Sequence, residues 1–498
     1  MTHPQTGSAA PTAHPASSLP HQTPGSPATP PAALPQRRTA FAEALDRLRA
    51  AAITEPGRLR IIGAVLAALV IAFGAVTAWQ MSERTAAADD VLHRSQPLSA
   101  DAAVIYRSLA DANTAAAGGF LVGGEEPADV RKRYEDDIAM AAEKLATAAA
   151  NSKGSATAGA QIAKLNGLLP EYAERIEAAR TYNRQGLPLG GAYLRNANDL
   201  MQTQMLPAAE KLYAAEKSRL GADYDDAKSY PWAAIGLGLL VLAVLVWAQR
   251  RNYRRTHRVF NPGLVTATAT AAAVLLWLLA GHTVAFTALS DSYDNGIRSL
   301  NVLNDARIST LQARSNENLT LVARGAVTVP EGRPQAGEDQ YDVDYRKQMK
   351  ALGDGGTDRS GMGSLGEAMH YADDREGRTP LDDAMKAVEE WKKRHKAARD
   401  ADTQGEYEKA LERVIGDGKA NGDKPEDGKP EEHPTGEYFD RADKALSKAV
   451  KHEQQDFRGA AEDGLGAMTG LPVGAAALAV LGAAGAVLGI GRRLSEYR

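Results

Sequence analysis

The sequence predicts an all-α membrane protein with four transmembrane helices and two extracytoplasmic antiparallel four-helix bundles. Four long uncharged blocks interrupt an otherwise polar chain of 498 residues whose mean hydropathy is −0.34. Each block is long enough to cross about 30 Å of hydrocarbon as a helix. Between the blocks, apolar residues recur at alternating steps of three and four, which is typical of helices packed in bundles. Aromatic residues make up only 6% of the chain, which favours thin bundles over sandwiches or barrels.

The N-terminal region contains two predicted cytoplasmic segments. The first 36 residues carry no charged side chain and are rich in Pro, Ser, Thr and Ala, so the tail 1–37 cannot bury a core and is predicted to be disordered. An amphipathic helix is expected within 38–60, where it lies on the inner leaflet or docks a cytoplasmic partner. The remaining segments are transmembrane helices at 61–81, 231–249, 263–289 and 471–491, outer bundles at 82–230 and 290–470, a cytoplasmic loop at 250–262 and a cytoplasmic C-terminus at 492–498.

Arginines next to the blocks set the predicted orientation. Residues 1–60, 250–258 and 492–498 hold 14 basic and 4 acidic side chains, and all three lie on one predicted face of the membrane. The positive-inside rule therefore places both termini and the short loop in the cytoplasm of a plasma-membrane protein. Seven of these arginines are candidate contacts for lipid or a cytoplasmic partner. Their role in fixing the orientation of the helices in the membrane is enough by itself to explain their presence. They are Arg250, Arg251, Arg254, Arg255, Arg258, Arg492 and Arg493.

The order helix, bundle, helix occurs twice, which predicts a tandem repeat. Ala110 and Asn113 align with Ala313 and Asn316 at an offset of 203. The offset grows along the chain, and two Gly- and Asp-rich insertions, at 353–366 and 415–437, account for the drift as mobile loops. Two fused copies of one sensor-like unit are expected to form an intramolecular pseudo-dimer.

Apolar stripes predict the helices of the bundles. In the second bundle, Thr379 and Pro380 are expected to open a helix as its N-cap and first-turn pair. The four stripes of the first bundle are Leu98, Ala102, Ile105, Leu109, Ala112 and Ala116; Tyr134, Ile138, Ala141 and Leu145; Ile162, Leu165, Leu169, Tyr172, Ile176 and Ala179; and Ala197, Met201, Met205, Ala208, Leu212 and Ala215.

No motif predicts an enzyme, a cofactor site, a metal site or a nucleic-acid partner. The chain has no cysteine, and the Gly-rich stretches near Gly353 and Gly416 lack the strand and Lys-Ser/Thr pair of a phosphate-binding loop. None of the ten histidines is expected to pair with a second ligand at helical spacing. An intramembrane His is a functional candidate, but we interpret His282 as a hydrated structural residue near the membrane interface.

The blocks themselves contain no acidic residue, which argues against a proton-coupled transporter. Small residues recur in them, and Gly482, Gly485 and Gly489 are candidates for close helix packing. A generic Ala-rich membrane composition explains these glycines equally well.

A helix, an outer bundle and a second helix form the sensory unit of chemoreceptors and many sensor kinases. Together with the Pro-rich tail, the stretches QRRNYRRTHR and GIGRRLSEYR resemble the GlnX-like family of actinobacterial four-pass membrane proteins. This resemblance implies a non-enzymatic signal transducer between a GlnH-like extracytoplasmic lipoprotein that binds aspartate or glutamate and a cytoplasmic PknG-type serine/threonine kinase. The alternative is an accessory or permease-like subunit of a transport system.

Signal transfer is expected to occur by small movements of the helices that join bundle and membrane. The segments 212–232 and 446–471 are the candidate transmitters. Gly464, Gly466 and Gly470 weaken the second segment, so the first is expected to transmit more stiffly.

Overall fold

The computed structural model describes residues 55–124, 126–151, 155–256, 261–353, 363–372, 374–416 and 433–495. Within these ranges the chain is helical with no strand, and only an isolated antiparallel bridge joins Thr328 to Asp339. The predicted all-α fold is therefore confirmed. The predicted N-terminal tail, nearly all of the amphipathic segment, and most of the two Gly- and Asp-rich insertions lie outside the described residues.

The first half of the chain forms seven α-helices with two π-helical turns. They are α1 (Glu55–Asp90), a π-turn (Val91–Ser95), α2 (Gln96–Val122), α3 (Ala128–Asn151), α4 (Ala156–Arg184), α5 (Leu189–Leu200), a π-turn (Met201–Met205), α6 (Leu206–Lys228) and α7 (Trp232–Thr256). The second half forms α8 (Pro262–Asp291), a π-turn (Ser292–Ile297), α9 (Arg298–Ala323), α10 (Gln340–Leu352), α11 (Gly363–Tyr371), α12 (Arg375–Thr403), α13 (Tyr407–Ile415), α14 (Thr435–Met468) and α15 (Leu471–Ser495).

Four helices are long and apolar enough to cross a membrane, and their apolar spans lie in α1, α7, α8 and α15. The core between them is built from Leu, Val, Ala and Phe, with Leu66, Phe73, Leu245 and Val274 among its buried members. The chain is thus a multi-pass membrane protein whose spans contact lipid.

The first bundle (α2 to α6) follows the predicted stripes closely. The buried face of α4, from Ile162 to Ala179, matches its stripe residue for residue, and Tyr172 is fully buried at its centre. The π-turn at Met201–Met205 keeps both methionines in the core between α5 and α6.

The second bundle (α9 to α14) differs from the prediction where α12 begins. Asp374 caps α12 by accepting a hydrogen bond from Gly377 N at 2.7 Å. The helix therefore begins at Arg375, one turn before the expected pair, and Pro380 lies inside it. The prediction of an N-cap at Thr379 was wrong because the carboxylate of Asp374 already satisfies a free N–H group at the helix start.

The first helix of each bundle continues from a membrane span, whereas the last helix does not. Helix α1 runs through a π-turn into α2, and α8 runs through a π-turn into α9. In contrast, α6 ends at Lys228 and α14 ends at Met468 before the next span begins. Pro231 explains the first break, because a proline disfavours the helical conformation of the residue before it, here Tyr230. Gly470 explains the second break, because its φ of 83° lies in the left-handed region that glycine adopts readily. Neither of the predicted transmitters, 212–232 and 446–471, is therefore a continuous helix, and which of them is stiffer stays a prediction.

Candidate functional site at the interface between the two bundles

The bundles meet along their central helices, α2 and α9. Asn113 Nδ2 on α2 donates to Ser315 Oγ on α9 at 2.8 Å, and Thr114 Oγ1 donates to Leu311 O at 2.9 Å. Near the far end of the contact, a Cβ atom on Gly118 would lie 3.3 Å from Asn318 Nδ2. Residues near 113–118 thus face residues near 311–318 in the same order, so the two helices run parallel.

A charged network crosses this interface. On α3, Arg133 Nε donates to Asp111 Oδ1 at 2.8 Å, and Arg133 Nη1 lies 3.4 Å from Asp440 Oδ1 of α14. One helical turn after Asp440, Asp443 forms an ion pair with Arg307 of α9, with 2.9 Å between Asp443 Oδ1 and Arg307 Nη2. Burial, followed by the negative charge of Asp111, raises the pKa of Asp137. The two bundles therefore share a chain of ion pairs that a relative movement would change.

A cavity of about 220 Å³ lies inside the same interface. Its walls come from both bundles, with Arg107 on α2, Tyr213 on α6, Asn301 on α9 and Lys451 on α14. Tyr213 Oη donates to Asn301 Oδ1 at 2.6 Å and closes one wall. The cavity can hold a small molecule that contacts both halves of the chain.

A second charged network is buried inside the second bundle. Glu317 is 1% exposed and accepts from Trp391 Nε1 at 3.0 Å and from His395 Nδ1 at 2.9 Å, and Arg314 Nη1 lies 2.5 Å from its carboxylate. On its other side, His395 Nε2 lies 3.3 Å from Asp342 Oδ1. Burial alone would raise the pKa of Glu317, but the charge of Arg314 and the hydrogen bond from His395 hold it below its ordinary value. We assign this network a structural role, because Arg314, Glu317 and His395 are buried and pair with one another.

The end of α6 joins the two π-turns at the membrane-facing end of the bundles. Ser95 of the first π-turn donates to Asp223, and the adjacent Tyr224 Oη lies 3.1 Å from Ser292 Oγ of the π-turn after α8. The rings of Tyr224 and Tyr293 are 5.1 Å apart. We call these five residues the junction cluster; it links the helices that enter the membrane from both halves.

One group of side chains could hold a divalent cation. His452 Nε2 lies 3.1 Å from Asp374 Oδ1 and 3.0 Å from Asp456 Oδ2, and one ligand atom of each residue lies within 4.8 Å of the others. The expectation that no histidine has a potential ligand at helical spacing was therefore wrong for His452 and Asp456. Burial lowers the pKa of His452, but the hydrogen bond with Asp374 and the charge of Asp456 outweigh it and raise the net value. An imidazolium between two carboxylates accounts for this geometry.

The predicted glycines lie between α8 and α15. A Cβ atom added at Gly482 would lie 2.4 Å from Thr270 Oγ1, and one at Gly485 would lie 3.0 Å from Gly263 O. At Gly489 the backbone carbonyl accepts from Asn261 Nδ2 at 2.9 Å. Only glycine permits this close approach of α15 to the start of α8.

The predicted arginines other than Arg258 lie at the ends of α7 and α15. Arg250 and Arg254 are exposed, and Arg251 lies over the Trp247 ring at 5.5 Å. Arg492 is also exposed. Arg258 lies outside the described residues, as do the side chains of Arg255 and Arg493.

His282 is buried rather than hydrated. It is 2% exposed, its ring meets the Tyr230 ring edge-on at 4.7 Å, and neither ring nitrogen has a hydrogen-bond partner among the described residues. The interpretation of His282 as a hydrated residue was wrong because the α6–α7 break brings Tyr230 over it.

Sequence reasoning missed Arg107, Asp111, Arg133 and Arg307. The available signal was charge on the inward side of a helix, since Arg107 and Asp111 lie one turn apart on a helix whose other buried residues are uncharged. That signal is weak alone, because the partners of these residues come from distant parts of the chain.

An all-α chain with four apolar spans, two of which continue directly into bundle helices, is a multi-pass membrane protein of sensor-like architecture. Residues 87–225, which cover all but the last three residues of the first bundle, match the family model of the actinobacterial sensor domain. No curated protein and no solved structure matches the chain. The family match supports a sensor-like actinobacterial protein with a role in sensing or signalling.

Proposed function

We propose that the protein is a non-enzymatic transmembrane signal transducer. In its specific form, the proposal is that the protein relays the state of an extracytoplasmic aspartate- or glutamate-binding lipoprotein to a cytoplasmic serine/threonine kinase. Both bundles lie outside the membrane, and the arginine-rich ends of α7 and α15 lie in the cytoplasm. The two halves act as an intramolecular pseudo-dimer.

The observation that carries the proposal is the unbroken helical path from bundle to membrane. Helix α2 continues through the π-turn Val91–Ser95 into α1, and α9 continues through Ser292–Ile297 into α8. These are also the helices that meet at the interface between the bundles. A change at that interface would therefore move two membrane spans directly.

The junction cluster supports coupling between the two halves. Asp223 and Tyr224 are neighbours in sequence, yet they contact π-turns in different halves of the chain. A two-state arrangement of this cluster needs a difference of only a few kcal/mol between states, which one binding partner can supply.

The core between the spans favours signalling over the transport alternative. It is largely apolar and closely packed, as at Phe73 and Gly238, where an added Cβ atom would lie 2.8 Å from the ring, and it contains the buried polar residues Thr77 and His282. Substrate paths in transporters are typically lined by polar or ionisable groups.

Deletion of the gene in the native host tests the proposal. We expect the change in serine/threonine phosphorylation that follows addition of aspartate or glutamate to be lost, while uptake of radiolabelled aspartate stays normal. Reduced uptake with an intact phosphorylation response would refute signalling and support the transport alternative. Re-expression of the full chain provides the control.

A further inference from the structure

We propose that the cavity between the two bundles binds a small oxyanion directly, with Arg107 as its principal contact. The inference rests on the proposed sensing function and extends it, because it gives the bundle interface a ligand of its own.

The lining of the cavity is cationic. Arg107, Arg307 and Lys451 contribute to the walls, and no carboxylate does. Arg307 already pairs with Asp443, through Nε at 3.1 Å and Nη2 at 2.9 Å. Among the described residues, no carboxylate lies within ion-pair distance of the guanidinium of Arg107, although Asp137, Asp111 and Asp443 act on it from further away.

This arrangement disfavours the empty cavity. Burial lowers the pKa of Arg107, and the like charge of Arg307 lowers it further. A bound anion would reverse both effects, because it would offset the repulsion and supply acceptors for donors removed from water. Charge-assisted hydrogen bonds between a guanidinium and an oxyanion are among the stronger polar contacts in proteins.

Neutral donors complete the site. Asn301 uses its Oδ1 atom to accept from Tyr213, and its Nδ2 group has no hydrogen-bond partner among the described residues. Gln96, Asn304 and Gln454 also line the cavity. A ligand held by Arg107 and Asn301 would join α2 to α9 and thus the first bundle to the second.

The size of the cavity limits the ligand. A volume of about 220 Å³ is well above the roughly 10–15 Å³ that one water molecule needs by a probe-based measure. Phosphate or a short mono- or dicarboxylate fits this space, whereas drug-sized ligands occupy pockets of about 300–1,000 Å³. The ligand class is therefore a small oxyanion, with carboxylate and phosphate as its two sources.

Calorimetric titration of the full-length protein in nanodiscs tests the proposal. The probes are glutamate, succinate and inorganic phosphate, and we expect saturable binding of at least one. Saturation by glutamate or succinate alone identifies a carboxylate ligand, and saturation by phosphate alone identifies phosphate. Absence of saturable binding for all three would overturn the inference.

Three variants locate the site. Arg107→Gln should weaken binding at least tenfold, and Arg346→Gln, an exposed arginine of α10, should leave it unchanged. Asn301→Asp keeps an acceptor for Tyr213 but adds a negative charge, so it should abolish binding even if Arg107→Gln fails to fold. Wild-type affinity in either cavity variant would refute the site.

The result separates this inference from the signalling proposal. Binding to the wild type together with an unaltered phosphorylation response in the deletion strain would retain the oxyanion site and refute signalling. Absence of binding together with a lost response would refute the site and retain signalling through a protein partner.

Discussion

His395 shows how one residue gains its properties from three helices. It lies on α12 between Glu317 of α9 and Asp342 of α10, and the Tyr345 ring stacks on it at 3.6 Å. Burial lowers its pKa, but the hydrogen bonds and charges of the two carboxylates outweigh burial, so the net shift is upward. The protonated imidazole can donate to both carboxylates and satisfy them in the bundle core.

His395→Gln should remove part of the pH dependence of stability. Because the folded pKa of His395 is raised, its contribution is fully present below the unfolded value of about 6.5 and is lost as pH rises through the folded pKa. Wild-type protein should therefore melt at a lower temperature at pH 9 than at pH 6. The variant should be destabilised at pH 6 by on the order of 3 kcal/mol and show a smaller difference between the two pH values. Exposed His370→Gln is the control, and an equal pH effect in all three proteins would contradict the assignment.

At the scale of elements, glycines decide how closely the spans pack. A Cβ atom on Gly74 of α1 would lie 2.1 Å from Ala479 Cβ of α15, whereas one on Gly236 of α7 would meet nothing within 4 Å. The sequence marks both positions only as glycines in apolar helices. The neighbouring helix determines which one is required.

Gly74→Val should therefore destabilise the protein by about 1–3 kcal/mol through overpacking, and Gly236→Val should not. Thermal unfolding of both variants in the same detergent provides the measurement. Equal melting temperatures would show that α1 and α15 are not in the close contact described.

The junctions between bundle and membrane form the second element-scale feature. Arg84 of α1 donates to the carbonyl oxygens of Ser229 at 2.6 Å and Tyr230 at 3.1 Å, which stabilises the break between α6 and α7. Helix α1 thus provides both the continuous path to α2 and the support for the interrupted one.

Insertion of three glycines after Asp90 should abolish the phosphorylation response, since it interrupts the helix between α1 and α2. The same insertion after Ser229 lies in an existing break and should leave much of the response. Surface expression of both variants is the control for folding. A normal response in the Asp90 variant would show that signals do not pass through α1.

At the scale of the whole molecule, the parallel contact of α2 and α9 supports the pseudo-dimer. In the full chain, the α2 surface around Asn113 and Thr114 is covered by α9 of the second half. Residues 38–262 alone lack α9, so we expect two copies to cover this surface for each other and form a homodimer. Sedimentation in detergent measures this state, and a stable monomer would remove the basis of the pseudo-dimer.

Orientation in the membrane can be tested with single cysteines, because the chain contains none. Lys132→Cys in the first bundle and Lys393→Cys in the second replace exposed side chains. Both should react with an impermeant maleimide in intact cells. Tyr253→Cys at the end of α7 should react only after the membrane is opened, and the reverse pattern would invert the topology.

The fold class and the helical stripes could be predicted from the sequence because both depend on local patterning. An uncharged block of about 20 residues must be helical in hydrocarbon to satisfy its backbone. An apolar repeat of three and four residues places one face of each bundle helix inward. The stripes of α2 and α4 are buried for this reason.

Only the tertiary structure decided the candidate site. The segment Arg314 to Asn318 has the polar composition of an exposed turn of helix, yet all five residues are buried because neighbouring helices surround α9. Likewise, Arg107 faces a cavity whose other walls come from residues more than 100 positions away. Periodicity reports which side of a helix faces inward, whereas the chemistry of an interface depends on which distant helices meet there.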